Sequence, residues 1–155
     1  MKSWSQALKD SLLTGKIASV ATSSAIMACG AAENRNPVAP VNAVSHMLWG
    51  DEAATHDELS VKHTFTGLAL NSAANISWAV LYEKWFGEAG ERGDVATSLA
   101  GGAAVAAVAY VTDYHLVPPR FTPGFEKRLS SRSLLVIYIV LALSLGLGGL
   151  RRRNL

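Results

Sequence analysis

Residues 133–150 (SLLVIYIVLALSLGLGGL) run for eighteen positions without a charge, a proline or a side-chain amide, and Arg151, Arg152 and Arg153 end the run. As a helix it would be about 27 Å long, close to the hydrocarbon thickness of a bilayer. A chain with such a segment is expected to be a membrane protein.

Half of the 155 residues are hydrophobic and 17% are charged, figures that would also suit a soluble domain. The arrangement decides between the two, because the charges cluster and the apolar residues run together. Three further stretches read as spans. The first covers about 13–32, where 17–32 are free of charge and Lys16 can snorkel. The second covers 64–86, with Trp78, Tyr82, Trp85 and Phe86 suited to an interface belt, and the third covers 95–113. With 133–150 as the fourth, the expected fold is an all-α, four-transmembrane-helix bundle forming a single membrane domain. External connections fall at about 33–62 and 114–132. In the first, Val41, Val44, Met47 and Leu48 recur at helix-like spacing, which predicts a short interfacial helix, lying along the interface or dipping into the bundle.

The first three spans are rich in Ala, Gly, Ser and Thr, which offer lipid little apolar area and let helix backbones approach closely. Ser98, Gly102 and Ala106 sit at successive i, i+4 positions, so the third helix is expected to pack by small residues. In span two, His63, Gly67, Asn71 and Asn75 also recur every four residues, a polar stripe. Polar groups in a span usually face other helices or a cavity.

Four spans put both termini on one side of the membrane. Lys2, Lys9, Lys16, Lys84, Arg92 and the three C-terminal arginines make eight positive residues on that side. Arg35, Lys62, Arg120, Lys127, Arg128 and Arg132 make six on the other, so the termini are expected to be cytoplasmic, in a bacterial inner membrane. Ile26-Met27-Ala28-Cys29 resembles a lipoprotein cleavage box. Met27 fits it poorly and Asp10 interrupts the basic leader, so processing is not expected.

All four histidines, His46, His56, His63 and His115, then fall at the external side, together with Asp113 and the acidic residues 51–58. His46, His63, His115 and Asp113 are the candidate ligands for a metal or haem, although their spacing matches no ligand motif. Arg120, Lys127, Arg128 and Arg132 alternate with Phe121 and Phe125, a pattern suited to lipid headgroups or an acidic partner surface. The acidic patch 51–58 is itself such a surface, so the two connections are expected to pack together as a cap.

No catalytic residue can be named. No serine lies in a GxSxG elbow, no phosphate loop surrounds Gly101-Gly102, and the single cysteine, Cys29, lies in a small apolar stretch. A net charge of +2 without a basic stripe argues against nucleic acid. The expected function is therefore non-enzymatic, an accessory or structural subunit in the lipid bilayer that joins a larger membrane protein or a homo-oligomer. The alternative is binding or transport of a metal, haem or small ligand at the histidine-rich face. No motif commits the chain to a cofactor.

Overall fold

A computed structural model describes residues 1–151. In chain order the helices are α1 (Trp4–Asn34), α2 (Ala39–Val44), α3 (His46–Trp49), α4 (Thr66–Glu91), α5 (Val95–Val111) and α6 (Ser131–Arg151). A wide π turn, Val61–Phe65, leads into α4, and another, Thr112–Leu116, prolongs α5. No strand occurs among the described residues. Arg152 and Arg153, part of the charge argument for orientation, lie outside them.

The helix ends follow local chemistry. Ser3 caps α1 by accepting a hydrogen bond from the Gln6 N–H, and the Gln6 side chain accepts one from the Ser3 N–H. This reciprocal box starts the helix at Trp4, well before the expected position 13. Arg35 ends it in the left-handed conformation, φ 53°, with Pro37 just beyond. Ser60 accepts from the His63 N–H at the head of the π turn, and Asp94 accepts from the Thr97 N–H to start α5.

Among the described residues three helices are long and apolar enough to cross a membrane: Trp4–Asn34, Val95–Leu116 and Ser131–Leu150. The expected second span lies on α4, which has 26 residues but is not among them. Asn71, Asn75, Glu83 and Lys84 lower its hydropathy, and it meets its polar needs by packing. It lies along α1, while α5 lies along α6 and both pairs touch each other.

Small residues set these distances. A Cβ on Gly15 would come within 2.7 Å of Ile76 Cα, and one on Gly102 would run into the carbonyl oxygen of Ala142. Ser98, Gly102 and Ala106 are all buried along α5. The core at this level is Ala18, Ala79, Tyr82, Val105, Leu141 and Leu145.

Charges close the end that holds the N-terminus. The Lys2 ammonium, 4% exposed, lies 2.6 Å from Glu83 Oε2, 2.8 Å from Asp10 Oδ2 and 2.8 Å from Glu91 Oε1. The Thr14 hydroxyl donates to the other oxygen of Glu83. Burial alone would lower the Lys2 pKa, but hydrogen bonds from Lys2 to Asp10, Glu83 and Glu91 outweigh it and hold the pKa above its usual value.

The expected short helix of the first connection is present as α2 and α3, divided at Ser45. Its first half packs into the bundle and does not lie along a surface. Every residue from Ala39 to Val44 is buried, because Gly67 of α4 brings its backbone against Val41.

Candidate functional site

The two connections at the far end from Lys2 lock together residue by residue. Lys127 reaches Asp51 at 3.0 Å, and Arg128 reaches Asp57 at 2.7 Å while also donating to the Ala54 carbonyl. The hydrogen bond and charge of Lys127 hold the Asp51 carboxyl below its usual range. Arg120 donates to the carbonyls of Met47 and Leu48. Arg132 is exposed at the start of α6. The exposed ion pairs contribute little each, so register comes mainly from the bonds to backbone.

His46 bonds the two connections directly. Its Nε2 lies 2.8 Å from the Thr122 carbonyl oxygen, which can only accept, so Nε2 carries the proton. Gly124, at φ 99°, sits against the Ala43 carbonyl and the His46 ring where a side chain would not fit. Asn42, fully buried, donates to the carbonyls of His56 and Glu58 and accepts from Thr64.

The histidines have separate roles. His63 pairs through Nδ1 with Ser45 Oγ at 3.1 Å and stacks on His56 with ring centroids 4.0 Å apart. Ser45 spends its own proton on the Asn42 carbonyl, so His63 Nδ1–H is the donor. Burial, then the neighbouring His56 and Lys62, keep the His63 pKa below 6.5. His115 packs edge-on to Tyr110. Among the described residues no group of three His, Cys, Asp or Glu is placed to hold a metal ion. His46, His63, His115 and Asp113 are thus not brought together.

Beneath the cap the helices line a half-open cavity of about 250 Å³. Phe121 and Phe125 of the second connection and Met47 of the first roof it, and Leu70, Trp78 and Leu141 form apolar walls. Five hydroxyl, amide or carboxyl residues line it: Thr22 from α1, Asn71 and Asn75 from α4, Tyr138 from α6, and Asp113 from the π turn after α5. The volume is at the small end of ligand sites, and the mix of aromatic wall and few polar groups is typical of them.

The polar groups are oriented by their neighbours. Asn75 Nδ2 lies 2.7 Å from the Asn71 carbonyl oxygen and 3.0 Å from Thr22 Oγ1. A backbone carbonyl accepts only, so the Asn75 nitrogen must face it and the amide oxygen points elsewhere. Asn71 Nδ2 bonds the hydroxyls of Thr22 and Ser23. The polar stripe of α4 therefore joins α1 with its nitrogens. Tyr138 donates to Asp113 Oδ2 at 2.6 Å, and Tyr110 and Tyr114 both pack edge-on to the Tyr138 ring.

Asn71, Asn75 and Asp113 carry a sequence signal, whereas Tyr138 and Thr22 were not singled out. Tyr138 is the only hydroxylated aromatic in the run 133–150, and that was the available cue. Compared with protein-family models, curated proteins and solved structures, the chain gives no match.

Proposed function

We propose that the four long helices cross a bacterial inner membrane as a four-span bundle, both termini cytoplasmic, and that the capped cavity binds a small ligand without catalysis. The observation that carries the binding reading is the cavity itself. It joins an aromatic and aliphatic wall to Asn71, Asn75, Asp113 and Tyr138, each held in a set orientation by a second residue. Three apolar helices of spanning length support the membrane reading, and α4 can join them because its amides bond α1.

The test is purification of the full chain in lipid nanodiscs, followed by extraction and mass spectrometry of retained small molecules. Wild type is expected to retain a stoichiometric compound. Ala74→Trp, which fills the cavity from its wall, is expected to lose it. Equal retention by both proteins, or none by either, refutes the reading.

A second reading is favoured by a separate feature. Between α5 and α6 runs an outward groove with Ala103, Ala107, Leu135 and Ile139 along it. Small and branched residues in such a groove suit close approach of another helix, so the chain would serve as an accessory subunit or self-associate. Chemical cross-linking in native membranes, compared with Ala103→Trp, tests it: loss of a discrete cross-linked species supports association, and an unchanged pattern refutes it.

A further inference from the structure

We infer that the ligand of the capped cavity is a small organic amine or similar monocation, its ammonium on Asp113 and its apolar body against Trp78 and the roof phenylalanines. This rests on the ligand-binding reading above and adds the chemical class of the ligand.

The argument starts from which groups remain to be satisfied. No Lys, Arg or His lines the cavity. Asp113 enters no ion pair among the described residues, and its one side-chain hydrogen bond is the phenol of Tyr138 on Oδ2. That leaves Oδ1 as an acceptor. The further charge that acts on it, Glu126, is also negative. A half-buried carboxylate set against apolar walls without a cation is unfavourable, and a bound cation relieves it.

The other polar groups point the same way. The Asn71 and Asn75 nitrogens are spent on α1 hydroxyls and a backbone carbonyl, and the Tyr138 proton is spent on Asp113. Apart from the Trp78 indole N–H, what these groups leave to offer is acceptor oxygens. An anion would find no cationic group among the lining residues and would meet Asp113 directly. An ammonium would find a carboxylate and amide oxygens as acceptors, with the Trp78 ring as an apolar wall that also attracts cations.

A bare metal ion suits the site less well. Its wall is mostly aromatic and aliphatic, and no three metal-ligating side chains are grouped there. The apolar wall instead requires a ligand with an apolar body, and the volume of about 250 Å³ restricts that body to one ring or a short chain.

The experiment compares three probes with one body and different ends: 3-phenylpropylamine, 3-phenylpropanol and 3-phenylpropionate. Each is titrated calorimetrically into the full chain in nanodiscs, with empty nanodiscs subtracted. The amine is expected to bind about tenfold or more tighter than the alcohol, and the carboxylate not at all. Asp113→Asn, which keeps an acceptor for Tyr138, is expected to weaken the amine far more than the alcohol and so remove the preference for the amine. Equal binding of amine and alcohol by wild type, or preference for the carboxylate, overturns the amine inference while the binding reading stands. No heat from any probe up to millimolar concentration overturns the inference, and the retained-molecule measurement then judges the binding reading separately. The wild-type comparison decides even if Asp113→Asn fails to fold.

Discussion

His46 Nε2 donates to the carbonyl oxygen of Thr122, 2.8 Å away and 76 residues later in the chain, and this bond joins the two connections over the cavity. His46 is fully buried, and among the described residues its Nδ1 has no hydrogen-bond partner, lying 3.6 Å from Asp51 Oδ1. The ring therefore works as a one-sided clamp.

His46→Ala is expected to loosen the roof without unfolding the long helices. Losing the bond and leaving Thr122 unsatisfied should cost about 1–3 kcal/mol. Hydrogen exchange across 119–127 should speed up while α1 and α6 keep their protection. Unchanged exchange in that segment would show that the clamp contributes nothing.

The two faces of α5 make a paired prediction. Gly102 faces the Ala142 carbonyl, whereas neighbouring Ala103 is exposed. Gly102→Val should cost about 1–3 kcal/mol by forcing α5 and α6 apart, and Ala103→Val should stay within about 0.5 kcal/mol. Thermal unfolding in nanodiscs measures both, and similar losses would contradict the packing described.

At the opposite end, Lys2→Met leaves the acidic groups around it without their shared ammonium. Breaking a buried ion cluster by removing one partner costs about 3–5 kcal/mol. Glu83→Gln in the same chain should return part of that loss, giving a non-additive double-mutant cycle. Additive losses would mean that Lys2 and Glu83 do not act on each other.

His63 makes the cap sensitive to acid. Its pKa is lowered in the folded state by burial, His56 and Lys62. Below pH 6.5 the unfolded chain therefore binds more protons than the folded one. The stabilisation is complete above that pH and is lost as pH falls through the folded value. An NMR titration should place the His63 midpoint below 6.5, and His63→Gln should flatten the pH dependence of hydrogen exchange across 39–65. A midpoint at or above 6.5 contradicts it.

How much of the site could be read beforehand differs from residue to residue. Asn71 and Asn75 announce themselves because their four-residue spacing is a property of one helix, and the structure puts both in the cavity wall. The opposite charges of 51–58 and 120–128 are legible for a similar reason, since complementary charge needs no geometry to be noticed. Grouping His46 with His63 and His115 relied on their sharing one end of the fold. Each instead has its own neighbour: Thr122, Ser45 and Tyr110. Sharing an end does not bring side chains within bonding distance.

From the chain alone follow the helical class and the apolar runs, because length, periodicity and capping act over a few neighbouring residues. The end of α1 at Arg35 and the starts of α1, α4 and α5 belong to the same local chemistry. Only the tertiary structure decided that Lys2 meets Glu83 across 81 positions, that Tyr138 meets Asp113, and that a cavity remains under the cap. Those outcomes depend on how close two helices can approach. That distance is set jointly by the residues facing each other on both, such as Gly102 against Ala142 and Gly15 against Ile76, and neither helix carries it alone.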